Sequence, residues 1–491
     1  MNRRDFLKAS GAIAMLPSAC ATGPPLLHRT TLVNDIHSQL NSTEVRTVLT
    51  PKDAADLLGI VKDASRTGKS ISIAGGRHAM GGQQFGTGTT LLDMRSMNRV
   101  LGFDRTRGTI ELEAGIQWPE LASHLLDTQK DGSSNWGFAQ KQTGADRLTL
   151  GGAVAANVHG RGLRMKPFIQ DVEALEIVTS DGRLIRCSRS ENAELFALAV
   201  GGYGLFGIVS KISLRLTPRR KVRRDVVIQD IATVSKAFEE RIADGYLYGD
   251  FQFAIDDASD DFMRKGVFAC YKPVDESTPI AAQRELKKED WIGLLSLAHS
   301  DKSGAFDRYA SYYLATSGQV YWSDTQQMGY YPDDYHRSID QSARATDRAT
   351  EVITEIYVPR DRLADFMLEA RDDFRRSGVP IIYGTVRLIE KDDESFLAWA
   401  KQPYACVIFN LHTVHTPDGI ARSAGAFRRL IDMAIARSGS YYLTYHRFAR
   451  REQVETCYPQ FAQFLQKKKE HDPRLLFQSD WYRNYAAMFG G

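Results

Sequence analysis

Residues 70–80, SISIAGGRHAM, run an apolar segment straight into two glycines and a histidine. Ile71, Ile73 and Ala74 read as a buried strand, and Gly75 and Gly76 end it in a turn that no side chain crowds. Bare backbone in such a turn can approach a phosphate or a flat ring, with its N–H groups free to meet an anion. His78 then sets a nucleophilic imidazole beside whatever the loop holds. Arg77 reads as a phosphate or ring neighbour, or as plain surface charge.

A second cluster, residues 148–162, has the sequence LTLGGAVAANVHGRG. Between Gly151 and Ala156 every side chain except Val154 is tiny. That suits a flat ligand lying on backbone, and it equally suits a segment beneath a close helix crossing. Residues 201–207 contain a formal G-x-G-x-x-G, but it follows a helix and precedes a strand, the reverse of a dinucleotide fingerprint. The Gly68-Lys69-Ser70 triplet fails as a phosphate loop because Asp63 stands where the first glycine belongs. His412 and His415 fall on an expected strand, residues 407–414, where positions three apart face opposite ways. They do not chelate one ion together, and no metal is assigned.

The 491-residue chain is long enough for two or three domains, with 43% hydrophobic and 25% charged residues as in ordinary globular proteins. A formal charge of +3 is too small to imply a nucleic-acid partner. Five cysteines without a C-x-x-C pair form neither a disulfide framework nor a zinc site. No apolar run beyond the amino terminus reaches membrane-spanning length. The first 25 residues stand apart: Arg3-Arg4, an apolar run and Ser18-Ala19-Cys20-Ala21 resemble a twin-arginine export signal. The expectation is a periplasmic or secreted protein, either cleaved after Ala21 or lipid-anchored at Cys20.

A helix is expected over 50–66, capped by Thr50 with Pro51 in its first position, and another over 118–126. Strands are expected over 90–94, 109–113 and 208–216, with a hairpin pairing 171–179 and 184–187 around Ser180-Asp181-Gly182-Arg183. Helices and hairpins alternate, so the fold class is α+β. Pro218 and the basic run 219–224, RRKVRR, read as a solvated boundary linker. The resulting division is 1–25 signal, 45–217 first domain, 222–435 second domain and 436–491 returning tail.

GGRHAM, LTLGGAVAANVHGRG, DVEALEIVTSDG and GGYGLFGIVSKISL occur in that order, and the set resembles the FAD-binding domain of the vanillyl-alcohol oxidase and p-cresol methylhydroxylase superfamily. The resemblance implies a two-subdomain FAD domain of the p-cresol methylhydroxylase type with an α+β cap that binds substrate. Gly75, Gly76, Arg77, His78, Ala79 and Met80 would form the pyrophosphate loop. Gly151, Gly152, Asn157, His159 and Gly160 would lie along the flavin and its ribityl chain, and Val209 would meet the adenine. His78 is similar to the histidine that many relatives join to the flavin 8α-methyl; otherwise it hydrogen-bonds phosphate. No cysteine lies between Cys20 and Cys187, so a second, cysteinyl link is not expected.

The tail YYLTYHRFAR (441–450), with Tyr458-Pro459 and DPRLLF (472–477), is similar to that of sugar-lactone and alditol oxidases. His446 matches their leading histidine and is the candidate for steering the substrate's hydroxyl proton. The lysine expected three positions later is Ala449, with Arg447 or Arg450 as its replacement. Arg387 matches the arginine of a Glu-x-Arg strand in which Thr385 replaces the acid; Tyr383 and Tyr445 would position substrate. The implied activity is hydride transfer to FAD from a sugar alcohol, a sugar lactone or another CH–OH donor. Oxygen or an electron carrier such as a quinone would reoxidise the flavin. A dehydrogenase using such a carrier, and a non-catalytic flavin-binding protein, are the alternatives.

Overall fold

The computed structural model describes residues 30–132, 135–329 and 335–490. The twin-arginine stretch and Cys20 lie outside the described residues. Three short strands, β1 (Thr47–Leu49), β2 (Ile71–Ala74) and β3 (Thr90–Asp93), form a parallel sheet in the order β1-β3-β2. Helix α1 (Ala54–Thr67) connects the first two and buries Leu57, Val61 and Ala64. It starts later than the Thr50 cap expected from sequence. Asp53, in extended backbone, accepts from the Asp56 N–H, and a carboxylate is a good N-cap.

A second, antiparallel sheet comprises β4 (Val100–Asp104), β5 (Thr109–Glu113), β6 (Val172–Val178), β7 (Leu184–Ser188) and β8 (Ile208–Arg215), ordered β7-β6-β8-β5-β4. Helix α2 (Leu150–Ala156) starts at Thr149, whose hydroxyl accepts from Gly152 N–H, and ends at Asn157 in the left-handed region. The Gly151 N–H donates to the Ala114 carbonyl at 2.7 Å, which draws α2 against the end of β5.

The third sheet has eight antiparallel strands: β9 (Lys221–Asp230), β10 (Tyr248–Phe253), β11 (Lys265–Pro273), β12 (Val320–Trp322), β13 (Ala349–Pro359), β14 (Ile381–Ile389), β15 (Tyr404–Val414) and β16 (Ser440–Tyr441). Their order is β12-β9-β11-β10-β14-β15-β13-β16. Helices α3 (Ile231–Ala243), α7 (Leu363–Ser377) and α8 (Pro417–Ile435) cover one face, where Phe238 meets Phe268 and Phe366 and Phe374 meet Phe409. The other face is roofed by α4 (Lys288–Ser300), α5 (Lys302–Ala315) and α6 (Tyr335–Ser342). Period-two alternation divides each strand between the two faces. The fold is α+β.

The basic run is not a solvated linker. It enters β9, and alternation buries Val222, Arg224 and Val226. The Arg224 guanidinium lies over the rings of Tyr271, Tyr313 and Tyr321, 4.5 to 5.3 Å from their centroids, and donates to Tyr271 Oη at 3.0 Å and Thr316 Oγ1 at 2.9 Å. Arg219 pairs with Asp324 at 2.8 Å over Trp322. The aromatic partners come from elements far along the chain, so the run itself carries no trace of them. Among the described residues no helix is long and apolar enough to cross a membrane.

The tail adds backbone to the first sheet. Ile71 N–H donates to the Leu476 carbonyl at 2.7 Å, and Gln478 N–H to the Ile71 carbonyl at 2.8 Å. Asp472 holds this turn by accepting from the N–H groups of Leu476 and Phe477 at 2.9 and 2.8 Å. The same carboxylate pairs with Lys468, whose side chain is fully enclosed. Removing one partner of a buried pair leaves the other uncompensated, at a cost of about 3–5 kcal/mol. Asp472→Ala is therefore expected to lower unfolding free energy by roughly that amount, measured by denaturant titration, with Asp472→Asn intermediate because it keeps an acceptor.

Candidate active site

The glycines at the end of β2 are required by proximity, not by backbone conformation. A Cβ on Gly75 would lie 2.1 Å from Thr149 Oγ1, and one on Gly76 would lie 2.3 Å from the Arg147 carbonyl oxygen. The left-handed residue of this loop is Arg77, at φ +61°. Its guanidinium reaches Asp93 at 3.4 Å. Between this loop and α2 runs a cavity of about 1230 Å³, larger than the ~300–1,000 Å³ of ordinary small-molecule sites. It extends from Ile73, Gly207 and Val209 past the loop to the roofed face of the large sheet.

Gly75, Gly76, Arg77, His78, Ala79, Met80, Gly151, Gly152, His159 and Val209 all line this one cavity. So do Tyr383, Arg387 and Tyr445 at its sheet end. Three sequence candidates lie outside the lining. Asn157 is internal, donating to Asp392 at 2.9 Å and accepting from Ile169 N–H at 2.9 Å. Gly160 faces the Lys141 carbonyl, which a Cβ would meet at 2.6 Å. His446 is buried and stacked on Phe448, centroids 4.9 Å apart; its neighbours Thr444 and Tyr445 are the ones that reach the cavity.

His78 Nδ1 is 2.8 Å from His37 Nε2, and its own Nε2 is buried without a hydrogen-bond partner. Burial drives the His78 imidazole down to about 4 against the pull of the Arg147 carbonyl, and the Lys141 charge lowers it further. At neutral pH the ring is uncharged and keeps a lone pair. Lys141 is itself enclosed and pairs with Asp146 at 2.5 Å. Burial pulls its ammonium below the usual lysine range.

The sheet end contains residues that the sequence reading passed over. Asp250 and Gln252 on β10, Asn410 on β15 and Glu355 on β13 all project into the cavity, beside Tyr383 and Arg387 on β14. Thr385, between Tyr383 and Arg387, is completely covered; the acids come from neighbouring strands instead. Glu355 Oε1 lies 2.5 Å from His159 Nε2, and Tyr445 Oη donates to Glu355 Oε2 at 3.2 Å. His159 Nδ1 faces the Gly160 carbonyl at 3.1 Å. A carbonyl only accepts, so Nδ1 carries hydrogen and the Nε2–Oε1 contact shares one further proton. Burial, then the charge of Glu355, raise the Tyr445 phenol well above its ordinary range. One signal for Glu355 was present: Glu351 and Glu355 sit four apart in an apolar strand, hence on one face.

The residues fit a flavin dinucleotide. A slot walled by glycine and alanine passes a loop whose Arg77 Nε and His78 Nε2 are buried and unpartnered. The chain matches the family described as FAD binding domain over residues 45–188. It is 22% identical to an L-gulono-1,4-lactone dehydrogenase of Mycobacterium tuberculosis over 451 residues, 89% of this chain and 95% of that protein. The chain carries an FAD binding domain and is an FAD-dependent oxidoreductase, similar to the superfamily named above. It is also 28% identical to an uncharacterized oxidoreductase, ORF5 of the fasciation locus of Rhodococcoides fascians, over 182 residues, 37% of this chain and 40% of that protein. The match to the L-gulonolactone oxidase of Mus musculus is 26% over 170 residues, 34% of this chain and 37% of that protein. The last two matches thus span well under half of those relatives' lengths.

Burial, then the charges of Arg447 and His415, push His446 down to about 3. An unfolded histidine titrates near ~6.5, so below that pH the unfolded chain takes up protons that folded His446 and His78 refuse. Stability therefore falls as pH drops from about 6.5 towards 4, by roughly 1.4 kcal/mol per pH unit for each proton of difference. His446→Phe is expected to flatten the stability–pH slope in this window by about one proton, measured by denaturant unfolding at pH 4.5 to 6.5. An unchanged slope would contradict the assignment.

Proposed function

We propose that this oxidoreductase acts on a sugar lactone, a sugar alcohol or a closely related polyhydroxylated CH–OH donor, and that the twin-arginine segment exports it. One observation carries the substrate reading. Arg161 Nε, Asp250 Oδ1, Gln252 Oε1, Arg387 Nε and Asn410 Oδ1 are all buried without hydrogen-bond partners, and all five residues line the cavity. Buried polar atoms are nearly always paired, so this mixed set of donors and acceptors calls for a ligand rich in hydroxyl groups. The relative that covers 95% of its own length in the match carries a lactone dehydrogenase name, in keeping with this reading.

When bound, FAD supplies the acceptor for a hydride and passes the electrons on to oxygen or a carrier. The protein supplies the rest. The roof residues Trp291, Tyr309 and Tyr313 exclude water above the polar sheet face. As the carbinol C–H bond breaks, the substrate's hydroxyl proton passes to Tyr445 Oη while the Tyr445 proton passes to Glu355. This assigns to Tyr445, Glu355 and His159 the proton handling that the sequence reading gave to His446. Arg387 provides positive charge where negative charge develops. His78, whose buried Nε2 has no protein partner, would hold the cofactor, its neutral imidazole available for a covalent link.

Four measurements test this reading. Anaerobic mixing with a panel of aldonolactones and alditols is expected to bleach the flavin saturably, and apolar alcohols are expected to fail; the reverse pattern would refute the substrate class. Glu355→Gln should retain flavin yet lower kcat/KM by about 10²–10⁴-fold. His78→Ala should release its colour into the supernatant on acid precipitation, whereas the native protein keeps a flavin-modified peptide containing His78. Fractionation of the native host should place the processed protein outside the cytoplasm.

A further inference from the structure

We propose that His299, His412 and Glu351 form a binding site for a divalent transition-metal ion of the zinc type, outside the residues that line the flavin cavity. Glu351 on β13 and His412 on β15 are directly paired across the strands, and His299 reaches them from α4. Glu351 Oε1 is 3.1 Å from His299 Nε2 and 3.6 Å from His412 Nδ1. All three atoms lie within 4.8 Å of one another. Tetrahedral bonds of about 2.0–2.2 Å give edges of roughly 3.3–3.6 Å between ligand atoms, so an ion fits with little movement.

The three atoms have no other use. His299 Nε2, His412 Nδ1 and Glu351 Oε1 are each buried without a hydrogen bond of good geometry, although the Glu351 side chain is only 5% exposed. The other carboxylate oxygen is held: His336 Nδ1 lies 2.7 Å from Oε2, and the Tyr335 hydroxyl donates to it as well. That arrangement aims Oε1 at the two imidazoles, as outer-shell hydrogen bonds do for metal ligands. Two imidazoles and one carboxylate suit zinc and its neighbours better than magnesium or calcium. The His412 and His299 side chains are 25% and 13% exposed, so the cluster lies close to the protein surface.

His412 and His415 do face apart, as expected: His415 Nε2 meets Thr350 Oγ1 at 2.9 Å, and Thr350 alternates with Glu351 on β13. The partners of His412 come from 61 positions upstream on β13 and from two roof helices. The ion would fasten α4, whose Trp291 reaches into the cavity, to strands β13 and β15. It would act as a staple for the substrate roof.

The test uses the flavin-loaded, tag-free protein. After chelator treatment and dialysis against zinc, elemental analysis should find one zinc per chain, with a thermal midpoint above that of the chelated sample. Cobalt should give the visible absorption of a tetrahedral site, read as a difference spectrum over the flavin. H299A/H412A should lose both the metal and the metal-dependent thermal shift while keeping its flavin spectrum. Tyr335→Phe should weaken zinc affinity about 10–100-fold. If the double variant fails to fold, His412→Gln alone should show the loss. Native protein that takes up no zinc or cobalt, or variants that retain it unchanged, would overturn the proposal. Flavin content is read separately, so neither result depends on the substrate assignment.

Discussion

The close approach of two backbone segments shapes the site. Strand β2 ends against residues 147–149, and at Gly75 and Gly76 there is no space for even a methyl group. That contact brings the small sheet, helix α2 and the antiparallel sheet to a common edge and leaves a slot between them. Ala114, Gly151, Gly152, Ala155 and Ala156 keep the slot's walls at backbone thickness. His78 follows directly on this contact, and from its other side Met80 is held by the Asn41 amide, which donates to the Met80 carbonyl. Crowding of this kind is cheap for glycine and prohibitive for any other residue.

The second constraint is electrostatic. The cavity end of the large sheet holds an arginine, two acids and two amides whose buried atoms are only partly satisfied by protein. Such an arrangement is costly in the empty protein, since an unmade buried hydrogen bond forfeits about 1–3 kcal/mol. A site of this type discriminates strongly in favour of a ligand that completes it and against one that cannot. Around it, the Arg224 guanidinium, which also lines the cavity, is held by tyrosine rings and the Thr316 hydroxyl, and Arg219 is paired with Asp324.

Several local readings failed where the deciding partner was remote. Thr50 and Pro51 resemble a helix start, yet Asp53 caps α1 because its carboxylate reaches the Asp56 N–H. The basic run looked solvated because its aromatic partners lie from about 50 to 100 residues downstream. His446 carried the motif position, but the turn 442–446 sends Tyr442, Thr444 and Tyr445 to the cavity and His446 into the stack with Phe448.

The order and spacing of the glycine clusters carried the resemblance to an FAD-binding domain, and their residue size signalled close backbone approach in the amino-terminal third. Alternation along the strands likewise determined that Tyr383 and Arg387 share a face. Which acid serves that face was decided only by tertiary structure. Glu355 and Asp250 are carried by strands of the eight-stranded sheet that are far apart in the chain, and His159 comes to Glu355 from the segment after α2. A carboxylate's function depends on what stands opposite it, and a single sequence does not record that distance.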